Sequence, residues 1–305
     1  MIFLATSLIK TVSGQEKIRL EKLLTFNKSE IGYASLSSIG DTLLVSYGYS
    51  FPDEQKPGTT FWFRNGKKIR SITNLNNTRI SPDGNYYMYV KNHVIYVNDK
   101  KDKIIGKIST QDIIMPGEWS CDSKSFYFMS EDYIYNYNIA TGIKKVILSK
   151  KQYCKIIPVK NNNVIYLLKD TNDDPIEPTR EIYRYDILKK EFTQIMLPKI
   201  KNFAVTDDFT ISPNEKVIMF NNIFLGMKYL FVIDANNFEI INKFDTPMDC
   251  RNNFNYSWKT DSSYVIFTMD YKEIYKYDSS AETRLKNDSS ANHLQKLGNY
   301  INEPR

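Results

Sequence analysis

Histidine is almost missing from this sequence of 305 residues: His93 and His293 are its only two. Histidine is the usual general base and a common metal ligand. Neither of these has a partner at a recognisable ligand spacing, so a histidine-ligated metal centre is not expected. Cysteine is nearly as scarce. Cys121, Cys154 and Cys250 are odd in number, widely spaced and without a C-x-x-C pair, which excludes zinc-ribbon and thioredoxin-type sites. A single disulfide stays open for an exported chain. No G-x-S-x-G elbow, phosphate-binding loop, G-x-G-x-x-G fingerprint or EF-hand loop occurs, so no catalytic residue, cofactor or metal is assigned. No run approaches the length of a transmembrane helix. The net charge of +6 is scattered beside turns, as at Lys67-Lys68, Lys100-Lys101 and Lys144-Lys145. A nucleic-acid reader would gather it into a stripe, and no nucleic-acid partner is expected.

What the chain does have is aromatic residues, 22 Tyr and 17 Phe. These favour strands, where a flat ring packs across its neighbours. They are arranged in repeats. Ser81-Pro82-Asp83-Gly84-Asn85 leads into Tyr86-Tyr87-Met88-Tyr89-Val90, then Val94-Ile95-Tyr96-Val97, then a strand around Ile104 to Ile108. Trp119-Ser120-Cys121-Asp122-Ser123, Ser212-Pro213-Asn214-Glu215 and Trp258-Lys259-Thr260-Asp261-Ser262 each introduce a similar pair of runs. Weaker copies follow Ser38 and Pro158. Anchors at residues 38, 81, 120, 158, 212 and 259 fall about 44 residues apart, the period of a four-stranded propeller blade.

The physical reasons are local. Proline fixes φ in the turn, and Asp-Gly or Asp-Ser supplies the reversal into a strand. The run after each turn, taken as the first strand, is nearly all apolar, as a strand covered on both faces must be. The next run alternates, as expected nearer the rim.

The turn Ser-Pro-Asp-Gly followed by an apolar run, then by an apolar-Tyr run ending in Asp, resembles the TolB-like or WD40-like β-propeller repeat over residues 17–285. The same type occurs in propellers attached to some serine peptidases. The resemblance implies scaffold only, since the Gly-His and Trp-Asp marks of true WD40 repeats are lacking and Cys121 replaces proline. The expected fold is therefore all-β, a six-bladed β-propeller with four-stranded antiparallel blades across residues 16–288. Ile18 to Phe26 is the candidate strand to complete the last blade, with Thr283-Arg284-Leu285 competing for that place. Residues 289–305 form a polar tail.

Residues 1–15 are read as a signal peptide, giving a periplasmic or secreted protein. The competing reading is a first strand in a cytoplasmic one. Two long insertions, Ser50 to Thr59 and Asp170 to Arg180, hold the candidate binding residues: Phe51, Asp53 and Glu54, then Asp170, Asp173, Asp174 and Glu177. Long loops on rigid scaffolds concentrate binding, and both insertions follow an inner strand, favouring a shared face. The expected function is a non-enzymatic scaffold, a monomer that contacts a protein or glycan through loops. A glycan-active enzyme with carboxylates in the central funnel is the rival, and an intracellular WD40-like assembly platform is the third reading.

Overall fold

A computed structural model of the chain describes residues 20–25, 33–39, 42–48, 58–65, 67–73, 75–109, 117–130, 132–149, 153–171, 180–197, 209–224, 227–246, 256–259, 261–270 and 273–279. Among these residues the regular structure is all strand, in six four-stranded sheets. The first strand, β1, is Leu20–Thr25. Blade 1 is β2 (Tyr33–Ile39), β3 (Thr42–Gly48), β4 (Thr59–Arg64) and β5 (Lys67–Thr73). Blade 2 is β6 (Asn76–Ile80), β7 (Tyr86–Lys91), β8 (Val94–Asp99) and β9 (Ile104–Ser109). Blade 3 is β10 (Glu118–Trp119), β11 (Ser125–Met129), β12 (Tyr133–Asn138) and β13 (Lys144–Ser149). Blade 4 is β14 (Tyr153–Pro158), β15 (Val164–Asp170), β16 (Arg180–Asp186) and β17 (Glu191–Ile195). Blade 5 is β18 (Phe209–Ile211), β19 (Val217–Phe224), β20 (Met227–Asp234) and β21 (Ile240–Thr246). Blade 6 holds β22 (Tyr256–Trp258), β23 (Tyr264–Asp270) and β24 (Glu273–Asp278).

Within each blade consecutive strands pair antiparallel. The exception closes the ring. Blade 6 runs β22-β23-β24-β1, with Leu20 opposite Tyr277 and Thr25 opposite Glu273. The N-terminal strand therefore completes the last blade, as the sequence suggested for this segment. The competing segment, Thr283 to Leu285, lies outside the described residues. Blade 1 in turn packs against blade 6 through β2 and β22.

The position of one strand differs from the sequence reading. The apolar run after each Ser-Pro-Asp-Gly-like turn is the second strand of its blade, and the alternating run is the third. The innermost strand precedes the turn. It is short and polar in several blades, Asn-Asn-Thr-Arg-Ile in β6 and Glu-Trp in β10. It borders the centre of the ring and so needs no continuous apolar run.

The core lies between blades, where facing sheets interleave their side chains. Blade 2 sends Met88 and Val90 to meet Trp119, Phe126 and Phe128 of blade 3. Its alternate residues Tyr87 and Tyr89 meet Leu44 and Trp62 of blade 1. In blade 5, Ile218 and Phe220 pack toward blade 4, while Val217 and Met219 pack toward blade 6. Period-two alternation thus puts apolar residues on both faces of one strand, which is why the second strands read as unbroken apolar runs. Phe126, Phe128, Phe220 and Phe231 are fully buried, each contributing roughly 1.5–3 kcal/mol. Outward, burial fades: β5 and β17 are mostly exposed.

Candidate functional site

The two ends of the blades are built differently. At one end lie the turns from inner to second strand and from third to outer strand. Five of the six inner turns have the same length, at 81–85, 120–124, 159–163, 212–216 and 259–263. In three of them one serine organises the turn. Ser81 Oγ donates to Asp83 at 2.6 Å and accepts from the Tyr86 amide at 3.0 Å. Ser120 and Ser212 repeat this with Asp122 and Asn214, both at 2.7 Å. The fourth turn residue is left-handed in four of these five turns, Gly84 at +71°, Ser123 at +61°, Glu215 at +60° and Ser262 at +64°. Only glycine adopts that conformation without strain.

These turns are also bonded to one another. The Asp83 amide donates to Ser123 Oγ at 2.9 Å, and the Asn214 amide donates to Ser262 Oγ at 3.0 Å. Asn162 donates to Asp122 at 2.8 Å, and the Lys160 amide donates to the Pro213 carbonyl at 2.9 Å. The carboxylates are held as anions. Burial opposes the charge of Asp83 and Asp122, but hydrogen bonds from Ser81 and Ser120 and from nearby amides outweigh it and lower both. Asp102 is lowered chiefly by Arg70, 2.7 Å away across blades 1 and 2. Tyr87 also donates to Asp102, at 2.7 Å, and burial with this carboxylate pushes its phenol up to about 12. Several polar groups of this end are thus bonded across neighbouring blades, which suits a brace.

The opposite end carries the second-to-third connections and the links between blades. Both insertions are there. One joins β3 to β4 through 49–58 and the other joins β15 to β16 through 171–179, so the two leave from the same end of their blades. Their roots are pinned. At the first, Thr60 Oγ1 lies 2.9 Å from Ser46 Oγ, 2.6 Å from Thr78 Oγ1 and 3.2 Å from the Leu75 carbonyl. All three hydroxyl residues are fully buried. At the second, Asp170 and Arg180 are direct cross-strand partners, joined at 2.7 Å. The Cys154 thiol is 3.7 Å from the same carboxylate.

Of the seven candidate binding residues, Asp170 is the one the structure describes, and its carboxylate closes the neck of its insertion. Phe51, Asp53, Glu54, Asp173, Asp174 and Glu177 lie outside the described residues, as do residues 1–15 and 289–305. Cys121 and Cys154 are both thiols, and Cys250 lies outside the described residues. Burial pushes the Cys121 thiol up to about 11, away from reactivity. His93 is exposed, at φ +59° beside Asn92 at +52°, in the two-residue hairpin between β7 and β8. Among the described residues no three His, Cys, Asp or Glu side chains are grouped to hold a metal ion, and no helix is long and apolar enough to cross a membrane.

Sequence reasoning missed the residues around the centre of the ring. Arg79 of β6 lies 3.4 Å from Glu118 of β10, joining the inner strands of blades 2 and 3. The Trp119 indole donates to the Arg79 carbonyl at 3.2 Å, and the Trp258 indole donates to Thr210 at 3.1 Å. Lys155 of blade 4 sits 5.3 Å from the ring centre of Tyr256 in blade 6, reaching past blade 5. The tryptophans at 119 and 258 were visible as turn markers. The charged residues were not, because the strands that carry them have no pattern of their own.

No family model matches the chain, and no curated protein matches it. Solved structures do. A TolB from Agrobacterium tumefaciens is 15% identical, with a TM-score of 0.54 over 84% of this chain and 92% of that one. Hydrazine synthase of Kuenenia stuttgartiensis is 15% identical, with a TM-score of 0.55 over 89% of this chain and 84% of that one. TolB from Acinetobacter baumannii is 16% identical, with a TM-score of 0.51 over 73% of this chain; the match spans 59% of that protein's length. At these identities the likeness speaks for the fold alone: the chain is a six-bladed β-propeller, similar in fold to the TolB structures.

Proposed function

We propose that this propeller is a non-enzymatic binding scaffold, exported to a periplasm or cell exterior, that holds a protein or glycan at the end bearing its two insertions. The observation that carries the reading is the asymmetry between the ends. One is a set of short turns, several of which are hydrogen-bonded to the turn of the next blade. The other sends out both insertions from roots fixed by buried hydroxyls and by the Asp170–Arg180 pair. A rigid base under a variable loop is the usual arrangement for recognition. Phe51, with Asp53 and Glu54, supplies an apolar anchor and charge from the first insertion. Asp173, Asp174 and Glu177 make the second acidic beyond the Asp170–Arg180 pair at its root. The surface suits a partner with basic or hydroxyl-rich character.

The test is photo-crosslinking in the native host, with the reactive side chain placed at Phe51 or, on the braced end, at Lys101. Adducts from Phe51 and none from Lys101 are expected. Adducts from Lys101 alone, or turnover by the unaltered protein on a glycan panel, would sink the reading. Recovery of a mature chain lacking residues 1–15 is the expected result for export, and a chain that retains them sends the search to intracellular partners.

A further inference from the structure

The outermost strand of each blade is paired on one side only, and an open edge is a template for another chain unless it is guarded. Four of the six guard themselves with cations, Lys67, Lys68 and Arg70 in β5, Lys107 in β9, Lys144 and Lys145 in β13, and Lys243 in β21, and the β1 sequence carries Lys22. In four blades a guarding cation lies over an aromatic ring of the adjacent strand. Arg70 is 4.8 Å from Trp62, Lys107 is 5.5 Å from Tyr96, Lys144 is 4.6 Å from Tyr135, and Lys243 is 3.7 Å from Tyr229. The outer strand of blade 4, Glu-Phe-Thr-Gln-Ile, has neither lysine nor arginine. Where Arg70 and Lys107 stand opposite a ring, it places Phe192 opposite Tyr185, with ring centres 4.5 Å apart. Phe192 stays 46% exposed, and Leu188 and Met196 beside it are exposed as well.

We propose that the β17 edge is a second binding site, which takes an extended peptide by strand addition. Main-chain hydrogen bonds would give it affinity, and alternate apolar side chains would lie over Phe192. The peptide runs antiparallel, with acidic residues at its C-terminal end. That end falls beside exposed Lys189 and Lys190, which immediately precede β17. A second copy fits less well. Two β17 strands paired about their middle would set these lysines against Met196 and Leu197, with no acid to answer them.

Hydrogen exchange read by mass spectrometry tests this, using the full-length protein and the synthetic peptide Thr-Val-Thr-Val-Thr-Val-Asp-Asp as probe. Exchange at 191–195 is expected to slow about tenfold with peptide, while β5 and β9 are unchanged. Phe192→Lys, which rebuilds the guard used by the other blades, is expected to abolish that slowing while the protein still melts in one cooperative step, with a Tm lowered only by the lost ring contacts. Replacing the two insertions is expected to leave it intact, so failure here is separable from failure of the insertion-end reading. The proposal is overturned if 191–195 stays unprotected, if all outer strands slow alike, or if protection rises with protein concentration in the absence of peptide.

Discussion

Gly117, at φ +90°, precedes β10 where the chain enters the centre of the ring. A Cβ there would run into the Tyr127 carbonyl and the Phe128 side chain. Gly117→Ala is therefore expected to lower stability by more than about 1 kcal/mol, seen as a lower urea midpoint at unchanged slope. The titrating residues give a second expectation, with opposite signs at the two extremes of pH. Asp83, Asp102, Asp122 and Asp261 have folded values below the ordinary 3.8. Their stabilisation is complete above that value and is lost as pH falls through the lower folded values. Tyr87 and Tyr127 are pushed up from 10 to about 12, mainly by burial. Their contribution is complete below 10 and is lost as pH rises toward 12. Part of the tyrosinate absorbance should therefore appear only together with the loss of circular dichroism at the alkaline end, whereas ionisation of every tyrosine ahead of unfolding would contradict these burials.

At the scale of strands, legibility followed the hydrophobic pattern. Second strands such as Val164 to Leu168 are apolar without interruption because both faces meet neighbouring blades, and they were found in the sequence. Third strands such as Glu181 to Asp186 mix apolar and charged residues and end in Asp, and they were found too. The inner strands went unseen: β10 has two residues and β6 reads Asn-Asn-Thr-Arg-Ile, so neither displays a period. The same cause hid Arg79, Glu118 and Lys155. The insertions were legible because they interrupt the repeat, although nothing in the sequence showed how Thr60 and Asp170 anchor them. The burial gradient across a blade also sets what substitutions should do. Phe126→Ala in the second strand of blade 3 is expected to cost about 3–5 kcal/mol. Thr193→Ala in the exposed outer strand of blade 4 should stay within about 0.5 kcal/mol. Paired denaturant titrations check the contrast.

Across the whole molecule the ring is held at its seam by β1, which adds the fourth strand to blade 6. Removing the chain through Thr25 leaves the β24 edge unpaired beside the buried Tyr275 and Tyr277. This truncation is expected to lower the Tm and promote aggregation, and an unchanged melting curve would mean that β1 contributes little to closure. The seam, the bonded turns and the fixed roots make a closed ring of blades with both insertions at one end, and the functional reading depends on that end. It is tested most directly by replacing both 49–58 and 171–179 with short Gly-Ser turns and quantifying the partner crosslinked in the native host. The account predicts a Tm within about 2 °C of the parent, since the strands and the hydrogen-bonded roots are kept, together with loss of the partner. A variant that folds equally well and still recovers the same partner would contradict it.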